Sequence, residues 1–345
     1  MFFGRGDMKI GITYDLKEDY LREGYSDEDA AEFDRVETIA AIESALRSLG
    51  HSTDRIGHVR SLAARLVQGD RWDLVFNIAE GLKGFGREAQ VPALLDAFEV
   101  PYTFSDPLVL SVALHKGVAK RVVRDLGIPT PYFAVVESLS DVAGIDHPFP
   151  LFIKPVAEGT SKGISKASKV GNRSELLSGC AKLLERFRQP VLVEAFLPGR
   201  EFTVGIVGTG SDAKALGVAE IILQPDAEPE IYSFANKKNY EAKVCYRLAD
   251  DLVAATAAKM ALSAWKGLGC RDAGRIDFRC DGEGRVNFLE VNPLAGLHPE
   301  DSDIVILSRM KGIPYTTLIE SIVASAMQRS SVRDAAYRGQ VHSAS

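Results

Sequence analysis

Hydrophobic and polar positions follow two rhythms along this chain. Lys9 to Tyr14 is a short apolar run that predicts a buried strand. Ile39, Ile42, Leu46 and Leu49 then recur at three- and four-residue steps, the period of an amphipathic helix, and Gly50 stops it. Asp73 to Ile78 is apolar enough for a central parallel strand, and the loop Glu80 to Arg87 carries three glycines before a helix beginning near Gln90. Loops leading from strand to helix lie on the ligand-facing edge of open α/β sheets. Residues 8–110 are therefore expected to form one α/β domain.

Lys116 to Leu126 predicts a second amphipathic helix, closed by Gly127 and Pro129-Thr130-Pro131. Short strands follow at Tyr132–Val136, Leu151–Lys154, Val191–Glu194 and Phe202–Val207, with a helix from Arg173 to Arg188, the cadence of a small α+β unit over 111–207. A long helix at Leu252–Leu268, strands at Gly274–Arg279 and Val286–Val291, and a closing helix around Tyr315–Met327 make a third unit, 208–333. Residues 334–345 are polar and small and are expected to fray. The fold class is thus α/β and α+β, in three domains.

Composition narrows the function. The 345 residues carry a net charge of −6 from 41 basic and 47 acidic side chains, interspersed, so no polybasic field exists to hold a nucleic-acid backbone or an anionic membrane. Small-molecule chemistry is the expectation. Cysteines at 180, 245, 270 and 280 show no CxxC spacing, which predicts reduced, buried thiols rather than disulfides or a zinc site. Arg5 and Asp7 interrupt any apolar leader, and no apolar run approaches the ~20 residues of a membrane helix, so a soluble, cytoplasmic protein is expected. Met8 opens a clean strand and is a candidate native start, with residues 1–7 an extension.

Three clusters carry chemistry. Arg275-Ile276-Asp277-Phe278 and Asn287-Phe288-Leu289-Glu290-Val291-Asn292-Pro293 flank the turn Asp281-Gly282-Glu283-Gly284 and read as a hairpin. Strand alternation puts Arg275 and Asp277 on one face, and likewise Glu290 and Asn292. Paired in register, Asp277, Glu290 and Asn292 offer oxygen ligands suited to a hard cation beside one arginine. A solvated hairpin would carry similar charges, but the apolar setting FLEVNPL requires a partner for its carboxylate. Phe152-Ile153-Lys154-Pro155 followed by Glu158-Gly159-Thr160-Ser161-Lys162-Gly163 delivers a lysine into a loop of N–H groups and hydroxyls, either a polyphosphate cradle or a surface turn. Glu194 and Glu201 bracket the connector Ala195 to Arg200, which suits an adenine edge and a ribose but is also an ordinary polar connection.

These clusters, in this order, resemble the ATP-grasp superfamily and, within it, the D-alanine-D-alanine ligase family, over about residues 70–325. DLVFNIAEG with VPYTFSDPLVLSVALHKGVAKRVVRDLGIPTP resembles that family's N-terminal and linking region, IKPVAEGTSKGIS its phosphate-covering loop, EAFLPGREFTV its adenine hinge, and GRIDF with LEVNPLAG its metal hairpin. The resemblance implies an ATP-grasp fold with ATP and two magnesium ions, manganese being the alternative. It further implies that Lys116 and Lys154 contact ATP phosphates under a mobile loop with Thr160 and Ser161. Glu194 and Leu197 would meet adenine, and Glu201 the ribose. Asp277, Glu290 and Asn292 would hold the metal, and Arg275 with the Gly296 backbone would stabilise an oxyanion. The implied reaction is ATP-dependent joining of a carboxylate to an amine through an acyl phosphate, in a homodimer acting on small-molecule carboxylate and amine substrates. D-alanine-D-alanine ligase activity itself, or an ATP-binding regulatory module without turnover, are the alternatives.

The substrate end departs from the family pattern. No glycine pair follows the first strand; Asp15 or Glu18 would have to receive an ammonium, and the acidic run Glu18 to Asp34 reads more simply as a solvated loop. Lys238 stands where the family's lid has a tyrosine, and Leu297-His298-Pro299-Glu300-Asp301-Ser302 replaces small and hydroxyl residues after Gly296. His298 suits either proton acceptance from the incoming amine or a structural hydrogen bond. Glu80, in a strand-end loop, is a substrate candidate, whereas His115 is expected to pack or cap.

Overall fold

The computed structural model describes residues 7–223 and 244–343. Lys238 lies outside the described residues. The chain opens with β1 (Lys9–Thr13), followed by α1 (Lys17–Arg22), α2 (Val36–Ser48), β2 (Ser52–Gly57), α3 (Val59–Val67), β3 (Leu74–Asn77) and α4 (Gln90–Ala97). The three strands form a parallel sheet in the order β2-β1-β3. β1 sits at its centre, where a Cβ on Gly11 would come within 2.5 Å of Ile56 Cδ1. Ile39, Ile42 and Leu46 of α2 are buried against this sheet, as their spacing predicts.

Two helices, α5 (Pro107–Leu114) and α6 (Lys116–Asp125), lead into the second sheet, and His115 between them caps α6 by accepting the Val118 N–H. β4 (Phe133–Val136), β5 (Leu151–Pro155), β6 (Lys169–Val170), α7 (Arg173–Phe187) and β7 (Val191–Ala195) follow. The strands form an antiparallel sheet ordered β4-β7-β5-β6, with α7 packed on β5.

The third sheet is built from β8 (Glu201–Val207), β9 (Lys214–Leu223), β10 (Val244–Leu248), β11 (Ala273–Cys280) and β12 (Val286–Asn292), ordered β10-β9-β8-β11-β12. β8 therefore does not belong to the central unit where its cadence placed it. It hydrogen-bonds β9 and β11, and burial along nearly its whole length requires cover on both faces. That cover includes α8 (Leu252–Leu268), N-capped by Asp251, which lays Ala254, Ala257, Ala261 and Ala264 against the sheet. Small residues at helical spacing let the helix come close. A Cβ on Gly274 of β11 would meet the Trp265 ring of α8 at 2.6 Å, so only glycine fits there.

α9 (Asp303–Met310) and α10 (Tyr315–Ser343) complete the chain. α10 extends through residues the pattern leaves as a fraying tail, a stretch with no proline and several good helix formers. Its Leu318, Ile319, Ile322 and Val323 share a core with β1 and α2, so the last helix buttresses the first sheet. Cys180, Cys270 and Cys280 are buried thiols as expected, but Cys245 is exposed on β10, an edge strand.

Candidate functional site

Two cavities meet between the sheets. One, of about 110 Å³, lies between β5, β7 and the β11–β12 hairpin and is lined by Lys154, Ser161, Glu194, Leu197, Glu201 and Asp277. The other, of about 490 Å³, opens toward the N-terminal domain and takes in Lys116, Asn292, Gly296, Glu80 and His298. Thr160, Arg275, Glu290 and Asp303 line both. Apart from Asp15 and Glu18, every described candidate residue from the sequence therefore lines one connected site.

The hairpin pairs in the expected register: Asp277 faces Glu290 and Arg275 faces Asn292. A bulge after Asp277 sets Asp277 opposite Glu290 and Phe278 opposite Phe288, which leaves Leu289 as the extra residue. Arg275 donates to Asp277 and lies 3.1 Å from Asp303, while Thr203 donates to Asp277 at 2.6 Å. Burial raises the Asp277 carboxyl; Arg275 opposes that, and Glu290 and Asp303 add to it. Two facing carboxylates and an amide, with no cluster of three His, Cys, Asp or Glu among the described residues, fit a hard cation that completes its shell with phosphate oxygens.

Lys116, the first residue of α6, donates to the Glu158 carbonyl at 2.7 Å and stands 3.5 Å from Glu290. Lys154 on β5 pairs with Glu194 at 2.9 Å. The other Glu194 oxygen is 2.6 Å from Lys120, a fully buried lysine that sequence reasoning missed. Lys120 also donates to Thr130 Oγ1 at 3.0 Å and to the Phe288 carbonyl at 3.1 Å. Burial alone would raise the Glu194 carboxyl, yet its two lysines hold it below the usual range. Each carboxylate oxygen keeps a second lone pair for a ligand donor. Glu201, at the start of β8, lies 3.3 Å from Arg279, and burial raises its carboxyl.

The acidic run is exposed over much of its length, but its C-terminal end is not a solvated loop. Glu32 accepts the Gly159 N–H at 2.7 Å and Arg87 Nη2 at 2.7 Å, and sits 3.1 Å from Lys162. Arg87 also donates to the Ala157 carbonyl, and Lys162 pairs with Glu158 at 2.7 Å. Burial works against the Glu32 charge, but Arg87, Lys162 and the Gly159 N–H hold its carboxyl at about 2. The N-terminal segment thus clasps the glycine loop, whose Thr160 and Ser161 adopt φ of 49° and 55°, a left-handed conformation uncommon for a β-branched residue.

Asp15 and Glu18 do not line the large cavity; Asp15 instead accepts from Tyr20 and from the Gly81 N–H. Asp34, Glu80 and Glu88 line it together. Burial raises the Asp34 carboxyl to about 7 against the Thr38 hydroxyl, with Asp15 and Asp301 adding to the rise. Burial likewise raises Glu88 to about 7 and Glu80 well above its ordinary value. Such carboxylates gain most from a cation delivered by a ligand. His298 lies 2.8 Å from Asp301, on the loop after Gly296.

Comparison with known proteins shows the family and the fold. A family model described as the D-ala D-ala ligase C-terminus matches residues 122–324. The D-alanine-D-alanine ligase of Aquifex aeolicus is 32% identical over 289 residues, 84% of this chain and 94% of that protein. The solved structure of the D-alanine-D-alanine ligase from Coxiella burnetii superposes with a TM-score of 0.72 at 20% identity, over 99% of this chain and 100% of that one. The VanG D-Ala:D-Ser ligase of Enterococcus faecalis gives a TM-score of 0.71 at 18% identity, over 93% and 100% of the two chains. The two structures share the fold, and the family match and the Aquifex relative carry the kinship: this chain belongs to the D-alanine-D-alanine ligase family of ATP-grasp enzymes.

Proposed function

We propose that this ligase activates the carboxylate of one amino acid with ATP and joins it to the amine of a second, D-alanine being the first candidate for both. The observation that carries this reading is the meeting of the two cavities at Glu290, Arg275 and Thr160, with Asp277 opposite Glu290 and Lys116 beside it. A phosphate chain lying from the small cavity toward the large one would bring its γ-phosphorus to that junction. There a carboxylate oxygen attacks phosphorus, ADP departs and an acyl phosphate remains. Lys116 and Lys154 neutralise phosphate charge. Asp277, Glu290 and Asn292 would hold two magnesium or manganese ions, which draw charge from the transferring group. Arg275 and the Gly296 N–H then stabilise the oxyanion formed when the amine attacks the acyl carbon. The Glu32 clasp keeps the glycine loop over the junction and excludes water, which would hydrolyse the intermediate.

A product other than D-alanyl-D-alanine is favoured by one observation. Glu80 and Glu88 have no ion pair or hydrogen bond among the described residues, and Asp34 shares their cavity, which is more carboxyl groups than one α-ammonium needs. Release of ADP and phosphate, measured over D- and L-amino acids that include D-serine and diamino acids, with products identified by mass, decides between these readings. ATP binding without turnover on any of them would point to a binding module instead.

The pH dependence follows from the same carboxylates. Asp34 and Glu88, at about 7, are ionised above that pH and take up protons below it. The KM for the ammonium-bearing substrate is therefore expected to rise as pH falls from 8 to 6, by up to about tenfold per unit for each carboxylate that contacts it. Glu88→Gln should raise that KM at pH 8 and flatten its pH dependence, leaving the KM for ATP unchanged. A steep dependence unaltered in Glu88→Gln would remove Glu88 from the substrate pocket.

A further inference from the structure

Arg275, the residue assigned to the oxyanion, lies between two carboxylates. It donates to Asp277 through Nη1, and its Nε lies 3.1 Å from Asp303 Oδ2. The two partners differ in what else is asked of them. Asp277 Oδ1 accepts from Thr203 at 2.6 Å, Oδ2 is approached by Asn292 Nδ2 at 3.4 Å, and the same carboxylate faces Glu290 in the proposed metal site. A divalent cation bound there would share the charge that holds Arg275. Asp303 also lines both cavities, but its orientation comes from a protein group. Tyr246 of β10 donates to its Oδ1 at 2.6 Å, and Oδ2 is the oxygen toward Arg275.

The sheet is shaped to bring this carboxylate beside the arginine. Asp303 opens α9, where the positive end of the helix favours an anion. Leu307 lies one turn further along the same face and fills a hollow left by two glycines. A Cβ on Gly205 of β8 would come within 2.9 Å of Leu307 Cδ2, and one on Gly217 of β9 within 3.2 Å of Leu307 Cδ1. Gly205 pairs with Gly217 on one side and with Arg275 on the other. Seating Leu307 on Gly205 therefore sets Asp303, one turn earlier, next to Arg275. Tyr246 stands on the edge strand of the same sheet, so one scaffold carries all three groups.

We propose that Asp303, oriented by Tyr246, is the positioning residue of Arg275, keeping the guanidinium at the junction of the two cavities whether or not Asp277 is engaged by a metal ion. This rests on the ligase reading above. Asp303 transfers no proton and touches no reacting atom. It sets the direction of the positive charge on which the oxyanion depends, where a displacement of ~1 Å can cost about 100-fold in rate.

The test is a double-mutant cycle on the full chain with ATP, magnesium and D-alanine, or whichever amino acid gives the fastest ADP release in the panel above. Asp303→Asn keeps the shape of the side chain and removes its charge. It is expected to lower kcat for peptide formation about 30-fold, with the KM for ATP within about threefold of wild type. Tyr246→Phe should lower kcat about threefold in the same manner. Arg275→Met should by itself cost about 100- to 1000-fold. Adding Asp303→Asn to it should cost less than about twofold, because the group that Asp303 positions is gone. A purely structural role would repeat the whole loss in both backgrounds. The rise in Tm on adding magnesium, read without substrates, should be the same in Asp303→Asn as in wild type. Wild-type kcat in Asp303→Asn, a full loss repeated in the Arg275→Met background, or a missing magnesium response, which would make Asp303 a metal ligand, overturns the proposal. Should Asp303→Asn fail to fold, Tyr246→Phe carries the same cycle, and a loss that persists in Arg275→Met overturns the proposal there. Those results with an active wild type remove Asp303 alone; a wild type that turns over no amino acid overturns the ligase reading and this proposal with it.

Discussion

Glu290→Gln is expected to abolish ligation, with ADP release and product formation falling by at least about a thousandfold, while the chain stays folded. The substitution keeps the shape of the side chain and removes the charge that faces Asp277 across the hairpin. A divalent ion at a transferring phosphoryl group supplies several kcal/mol of charge stabilisation, and each ~1.4 kcal/mol is tenfold in rate. Stability should hold or rise, because Glu290 is one of the charges that push the buried Asp277 carboxyl upward. In the wild type, added magnesium should raise Tm by relieving the same repulsion, and the glutamine variant should lose most of that rise. Activity within tenfold of wild type, with Tm still responding to magnesium, would place the metal site elsewhere.

The ease of reading this hairpin from sequence has a local cause. Strand alternation and a four-residue turn fix which side chains share a face, and both lie within eighteen residues, from Arg275 to Asn292. β1, β3 and α2 were legible for the same reason, since each satisfies its own period. β2 and β10 were not. β2 reads Ser-Thr-Asp-Arg-Ile-Gly, and only Ile56 in it is buried. β10, with Val244 alone buried, is defined by its pairing with β9, whereas β9 carries an apolar run of its own, Ala-Leu-Gly-Val-Ala-Glu-Ile-Ile-Leu, that marks it as a strand. The same limit hid the acidic clasp. Glu32 lies 55 positions from Arg87 and 127 from Gly159, and no local rule brings those residues together. As sequence, Glu18 to Asp34 has the composition of a solvated loop; as structure, Glu32 is spent on the glycine loop and Asp27 and Asp34 line the large cavity, while Asp19 and Glu28 pair with Arg22 and Arg186 at the surface. Lys120 is an intermediate case. It follows Lys116 by four residues on a helix already read as amphipathic, so the two lysines share a face, and that spacing was the available signal.

Lys120→Met carries the second large effect, and it falls on stability as well as on the site. Methionine keeps the length and apolar stem of lysine and deletes its charge and three donors. Those donors serve Glu194, Thr130 Oγ1 and the Phe288 carbonyl, which belong to β7, to the linker after α6 and to the hairpin strand β12. Glu194, 3% exposed, is then left with Lys154 alone. Removing one partner from a buried ion pair costs about 3–5 kcal/mol, because the remaining charge has neither water nor its counter-ion. A fall in Tm of roughly 10 °C is expected at the ~2–4 °C per kcal/mol of a chain this large. The KM for ATP should rise as well, since Glu194 and Lys154 line the small cavity and both change partners. Adding Glu194→Gln to Lys120→Met should recover part of the lost stability, as it removes the stranded charge, but not the affinity for ATP. Independent, additive losses in Tm would mean that Lys120 and Glu194 are not coupled. A Lys120→Met protein as stable as wild type would show that the buried lysine contributes nothing that a hydrophobic side chain of its size does not.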